Sequence, residues 1–275
     1  MNFSNFPKRQ LRSPVKSAKL IIFTFLLVVI GLWESGVRIG IVDKSFFPAP
    51  SEIISVIPGM LEQSILTTAL RNTGVAMFYT IVYGLGLGII LGYIMGFSRV
   101  IRDAFLGPVL FLLAAPKSIF IPIFLLIFGI NQKTAIMYGI FSGFMYVIVN
   151  VVAGFDLIEQ RHLTIGRAFG AGRLSKIRHI VIPPSLPGLF TGIWYGLKNG
   201  VDGILILELF ISVTGLGMVM NAYTNDLKTA QVYAIIFFFS IISILLGSCW
   251  SGIERRLTKW RPNAISSSRR TVGIR

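Results

Sequence analysis

Residues 72–98, 134–155 and 229–253 contain no Asp, Glu, Lys or Arg, and each run is long enough to cross the hydrocarbon core of a bilayer as one helix. Two further runs are interrupted only sparsely, 104–132 by Lys117 and about 186–213 by Lys198, Asp202 and Glu208. A first apolar segment has only 14 residues between Lys19 and Glu34, so it spans if its ends snorkel or if the helix continues towards Arg38. The alternative for that segment is a cleaved signal peptide, but nothing like an A-x-A cleavage site follows Trp33. Charged residues make up 13% of the chain, about half the usual share, against 54% hydrophobic. The reading is an all-α membrane protein of six transmembrane helices. Its parts are a basic tail at 1–19, a membrane domain at 20–261 and a Ser- and Arg-rich tail at 262–275.

Orientation follows from the bases. The net charge is +15, from 26 Lys and Arg against 11 Asp and Glu. With both ends inside, 19 of the 26 fall in the tails and in the cytoplasmic loops, and 5 fall in the outer loops and at their edges. That asymmetry is what the positive-inside rule demands, so the charge reports topology and attraction to anionic lipid rather than nucleic acid. The single Cys249 excludes an internal disulfide framework, and two His, both in one loop, leave no metal site. An intramembrane hydrolase lacks its nucleophile and base: there is no G-x-S-x-G, and no span holds a His near Cys249. No catalytic residue is expected.

Within the spans, Gly84, Gly88, Gly92 and Gly96 form a stripe along one face of the second helix, and Gly188, Gly192, Gly196 and Gly200 repeat it on the fifth. Small residues at that spacing let another helix backbone approach closely, although the stripes do not say which one. Pro108, Pro116 and Pro122 predict a kinked or broken third span, and non-helical backbone at that depth must be buried in protein or line a wet cavity. Lys117, directly after Pro116, is therefore a candidate cavity-facing charge. Lys198 and Asp202, four apart, are either further path residues or a self-neutralised pair. Glu208 is grouped with the path, or marks the outer end of its helix.

Residues 156–185 form the longest polar stretch between spans. Its pattern predicts two short amphipathic helices around a Gly170-Ala171-Gly172 turn, with Pro183 and Pro184 ending the second helix before the membrane is re-entered. Such a helix-turn-helix is suited to docking a soluble partner.

At these residues the chain resembles the permease subunits of bacterial ABC importers. Their signature runs EAA, three residues, Gly, nine residues, then Ile-x-Leu-Pro, and Gly170, Ile180, Ile182 and Pro183 stand at matching spacing. Thr164, Ile165 and Gly166 occupy the EAA positions, so no role is carried over from that glutamate. The resemblance runs over roughly residues 30 to 261 and is closest to the nitrate, sulfonate and taurine branch. Its further fragments are Phe47-Pro48-Ala49-Pro50-Ser51, Leu91-Gly92 through Ser98-Arg99, Ala115-Pro116-Lys117 through Pro122, and Phe128-Gly129-Ile130. Glu208-Leu209-Phe210 with Gly215-Leu216-Gly217, and Glu254-Arg255-Arg256 with Trp260-Arg261, complete the set.

The resemblance implies a type I ABC importer permease fold in the bacterial inner membrane, with both termini cytoplasmic. It implies a homodimer of permeases, two cytoplasmic ATPase subunits and an extracytoplasmic binding protein. No G-x-x-x-x-G-K-[ST] loop is present, so this chain would bind no cofactor of its own, and ATP with Mg would sit on the partner ATPase. Arg167, Phe169, Gly170, Ala171, Gly172 and Arg173, backed by Ile180 and Pro183, would couple to that ATPase. Lys117, Lys198, Asp202 and Glu208 would belong to the path, and a sulfonate- or nitrate-type anion is the expected cargo. An ion-coupled secondary transporter or channel also uses broken helices and buried charges, but its inverted repeats are not found.

Overall fold

A computed structural model of the chain describes residues 14–257, which form helices and turns without a strand. The tail segments 1–13 and 258–275, including Trp260-Arg261, lie outside the described residues. In chain order the helices are α1 (Pro14–Arg38), α2 (Pro50–Leu61), α3 (Ser64–Phe97), α4 (Arg99–Ala114) and, after a 3₁₀ turn at Lys117–Phe120, α5 (Ile121–Phe128). Then come α6 (Gln132–Asp156), α7 (Gln160–Ala168) and α8 (Arg173–Lys176). A π-helical turn at Ile177–Val181 leads into α9 (Ile182–Ile211), followed by α10 (Gly215–Asn225) and α11 (Thr229–Leu257).

Among the described residues, five stretches are long and apolar enough to span: Leu20–Arg38, Ser64–Phe97, Gln132–Asp156, Arg173–Ile211 and Thr229–Leu257. Counted as one span, α4 with Lys117–Phe128, bent by 99° at the break, makes a sixth. The first segment does extend to Arg38, whose Nε donates to Glu34 Oε1 at 2.6 Å one turn back. Of the three prolines in the third span, Pro116 makes the break. It offers no N–H, and it pushes Ala115 into extended backbone at φ −70°, ψ 139°. Pro108 lies inside α4 without ending it, and Pro122 sits in the first turn of α5, where a missing donor costs no intrahelical bond.

One expectation is corrected. Pro183 and Pro184 do not end the second loop helix, because α8, the π turn and α9 run on as one 39-residue helix from Arg173 to Ile211. The prolines occupy the first turn of α9, and the wider π turn stands directly before them, where their rings would otherwise press on the carbonyls four residues back.

The chain divides into two compact units. The first comprises residues up to Glu62 together with Tyr223–Ala234. In it the Phe47-Pro48-Ala49-Pro50-Ser51 segment has concrete work. Ser51 donates to Glu34 from its backbone N–H (3.1 Å) and from its hydroxyl (2.7 Å), fixing the start of α2 to the end of α1. Tyr233 packs at 6.2 Å from Trp33 and 6.0 Å from Phe47, ring centre to ring centre.

The second unit holds Gln63–Ala222 and residues from Ile235 onwards, and α6 is its centre: 56% of its apolar window is buried, against 22% for α3. Both glycine stripes face this one helix. A Cβ added at Gly88 would lie 2.6 Å from Val147 Cβ, and one at Gly92 would lie 2.8 Å from Val151 Cβ; a Cβ at Gly96 would enter the Phe155 ring. From the other side, a Cβ at Gly192 would meet Val147 O at 3.1 Å, and one at Gly188 would run into Asn150 O. The approach is mutual, since Gly143 and Gly154 of α6 would place a Cβ 2.6 Å from Gly196 O and 2.7 Å from Ser185 O. Lipid supplies no hydrophobic drive between helices, so it is the dispersion gained at this range that holds α3, α6 and α9 together. Asn131 starts α6 by accepting from Lys133 N (2.8 Å) and Thr134 N (3.3 Å).

Candidate functional site

The break at Pro116 opens a cavity of about 350 Å³, lined by Leu113, Lys117, Tyr138, Ser142, Tyr146, Asn199 and Asp202 among others. Each element delivers a particular group to it. The 3₁₀ turn after Pro116 turns Lys117 inward, α6 presents Tyr138, Ser142 and Tyr146 at helical spacing, and α9 presents Asn199 and Asp202. Lys117 Nζ donates to Ser142 O (3.0 Å) and to Asn199 Oδ1 (3.1 Å), and it stands 4.1 Å from the centre of the Tyr146 ring. The ammonium thus exchanges water for two oxygens and an aromatic face, which makes its position tolerable at membrane depth.

The four path candidates separate. Lys117 and Asp202 line the same cavity. Lys198 does not; with Trp194, Asp202, Ser243 and Leu246 it lines a crevice of about 20 Å³, room for one water and no solute. Lys198 and Asp202 form no ion pair within 4.0 Å, but they share this crevice, and the charges of Lys198 and of Lys117 both act on Asp202. Glu208 is wholly buried, and its carboxylate accepts from Thr73 Oγ1 (2.8 and 2.9 Å) and Gly217 N (3.3 Å), while Leu216 N donates to the same Thr73 oxygen at 2.9 Å. These bonds seat the Gly215-Leu216-Gly217 turn onto α3 and α9, and a Cβ at Gly215 would overlap the carboxylate. Glu208 therefore lies away from the cavity, in a sealed joint.

In the loop between α6 and α9, Gly170 has φ +70° and stands just past the end of α7. Ala171 N donates to Gly166 O at 2.9 Å, the six-to-one bond of a Schellman close. No atom lies within 4 Å of a Cβ built at Gly170, so the glycine is there for its backbone handedness and not for close approach within the chain. Phe169 is 87% exposed and Leu174 78% exposed on either side of the turn, flanked by Arg173. Ala171 and Gly172 complete the turn, and Ile180 packs back so tightly that a Cβ at Gly166 would meet its Cδ1 at 2.5 Å. Pro183 lies in the first turn of α9 beyond this segment, and Arg167 is on α7 with its side chain outside the description.

Asn199, Tyr138, Ser142 and Tyr146 also belong to this cavity, and no charge marks them in the sequence. Asn199 and Lys117 are 82 residues apart, so only the fold joins them. The signal for the α6 residues is faint: polar atoms every fourth position in an otherwise apolar helix. Arg102, bidentate to Asp156 at 2.7 and 2.8 Å, likewise ties the start of α4 to the end of α6 without a local sequence mark.

Comparison with known proteins sets these features in context. Residues 84–260 match the family described as binding-protein-dependent transport system inner membrane component. The taurine transport system permease protein of Escherichia coli K12 is 25% identical over 245 residues, covering 86% of this chain and 87% of that protein. A putative aliphatic sulfonates transport permease protein of Bacillus subtilis 168 is 27% identical, covering 85% of each. A nitrate import permease protein of Leptolyngbya laminosa is 23% identical, covering 70% of this chain and 67% of that one. In fold, a crystal structure of an amino acid ABC transporter with histidines superposes at a TM-score of 0.60, with 15% identity over 74% of this chain and 98% of the other.

Proposed function

The chain belongs to the family of inner-membrane components of binding-protein-dependent transport systems, and on that basis we propose that it forms the path for a small anion of the sulfonate, taurine or nitrate kind. Membership makes it a multi-pass, non-catalytic permease subunit of an ABC importer, working with an ATPase and a binding protein. The reading adds that two copies of the chain face each other and that both termini lie in the cytoplasm. ATP and Mg reside on the ATPase, which grips the turn at Gly170 through Phe169, Leu174 and Arg173.

The observation that carries the anion assignment is Lys117. It is the cationic side chain that lines the cavity, and it does so at the break in the third span. Its position is built by a proline, two oxygen acceptors and an aromatic ring, an investment of polar groups that a lipid-facing lysine would not require. An anion entering the cavity meets the Lys117 ammonium, with the Asp202 carboxylate on the same wall, in a medium where charges act more strongly than in water. Uptake of a short alkanesulfonate should be measured in proteoliposomes holding the whole complex, wild type against Lys117→Met. Loss of one charge-assisted contact lowers uptake about tenfold or more. Uptake within twofold of wild type, at equal assembly with the ATPase, refutes the role of Lys117.

A further inference from the structure

We infer that the exposed face of α9 is the seam between two copies of this chain, and that Lys198 of each copy reaches Asp202 of the other across it. This rests on the reading that two copies face each other, and names the contact between them. α9 has two unlike faces. One carries Gly192, Gly196, Gly200 and Gly203, buried against α6. The other carries Tyr195, Lys198, Asp202, Ile206 and Phe210, three or four residues apart and all exposed. Tyr195, Ile206 and Phe210 suit lipid; Lys198 and Asp202 do not. Asp202 lies nine residues, about 14 Å, before the end of α9 at Ile211, and Lys198 lies four residues deeper. A carboxylate is too short to snorkel that distance. Among the described residues neither side chain makes a hydrogen bond or an ion pair within 4.0 Å. The charges of Lys198 and of Lys117 both act on Asp202 within the chain, but at longer range, and two donors of Lys117 are given to Ser142 O and Asn199 Oδ1. Charges left open on a helix face at this depth have to be covered by protein or water rather than lipid.

A face that carries both signs is its own complement, so a second copy covers it without a second kind of partner. A twofold axis normal to the membrane sets the two α9 helices parallel, with equivalent residues at equal height. Like charges then stand level with each other and repel. Lys198 of one copy, however, lies one turn, about 6 Å along the helix, from Asp202 of the other, and a lysine side chain bridges that rise between helices about 8–10 Å apart. The axis makes the two contacts equivalent, as an isologous interface requires. Asp202 also lines the cavity that holds Lys117, so the second copy contributes to that site. Lys198 of the other copy offsets the carboxylate and leaves the Lys117 ammonium as the net charge an entering anion meets.

The test exchanges charge between two differently tagged copies, purified through both tags as the complete importer with its ATPase, and reads the temperature at which half the complex dissociates. That readout needs no cargo. Lys198→Glu in both copies sets carboxylate against carboxylate, and Asp202→Lys in both sets ammonium against ammonium; each should lower the temperature by about 4 °C or more. A complex of one Lys198→Glu copy with one Asp202→Lys copy restores opposite charges at both contacts between copies, while like charges remain within each copy. It should return to within about 2 °C of wild type. A mixed complex no more stable than the two single-variant complexes overturns the inference, and so do single-variant complexes as stable as wild type. Where neither single variant assembles, assembly of the mixed complex supports the inference and its failure overturns it. A wild-type importer that never yields both tags together refutes the facing copies themselves.

Discussion

Replacing Gly170 separates two ways in which a glycine can matter. Its φ of +70° lies in the left-handed region, where an L side chain costs about 1–2 kcal/mol. No atom stands within 4 Å of the added Cβ, so nothing in the chain adds a clash. Ala and Leu should therefore carry nearly the same penalty, and Asn, which tolerates this backbone through local hydrogen bonds, a smaller one. A cost of about 1–2 kcal/mol lowers the population of the closed turn about 5- to 30-fold relative to its open forms. The assay is ATP hydrolysis by the reconstituted complex, stimulated by loaded binding protein and normalised to copurified ATPase. Gly170→Ala and Gly170→Leu should both reduce stimulation about fivefold or more, with Gly170→Asn above either. An Ala variant at wild-type rate beside an inactive Leu variant would refute the argument, because it would place the constraint in bulk at the partner surface instead of in backbone handedness.

The glycine stripes make the opposite prediction. Gly143→Ala sets a Cβ 2.6 Å from Gly196 O and should destabilise the α3–α6–α9 core by about 1–3 kcal/mol, whereas Gly86→Ala, with open space at its Cβ, should be neutral or slightly stabilising. Melting temperatures in detergent distinguish them, and equal melting points would contradict the packing described. Glu208→Ala leaves Thr73 Oγ1 and Gly217 N without their acceptor and should cost at least about 2 kcal/mol, while Glu208→Gln should cost less. Limited proteolysis at residues 212–217 reads the same event, and an Ala variant as resistant as wild type would remove Glu208 from the joint.

The spans, the break at Pro116 and the turn at Gly170 were legible in the sequence because each depends on local chemistry: runs without charge, a missing donor, a residue without a Cβ. Membrane-inserted helices advertise themselves in this way, since every backbone group must be satisfied within its own segment. The partner of the two stripes was not legible, because Gly88 and Gly192 reach Val147 only through the tertiary arrangement. The fate of Pro183 and Pro184 is hidden for a local reason: no residue in Ile177–Val181 signals that the turn before them will widen instead of stopping. Among the path candidates, charge alone could not divide Lys117 from Lys198 or Glu208. The division comes from what surrounds each: a roomy polar wall, a crevice for one water, and a sealed set of hydrogen-bond donors.

The unbroken course from Arg173 to Ile211 has a mechanical meaning. Its 39 residues give a contour of about 58 Å at the helical rise, more than the thickness of the bilayer with its headgroups. Swivelling such a shaft by about 5° about one end carries the other through about 5 Å, roughly one helical pitch. Had the prolines severed it, the same displacement would have been absorbed as slack at a flexible joint; the widened turn instead keeps lever and load in one piece.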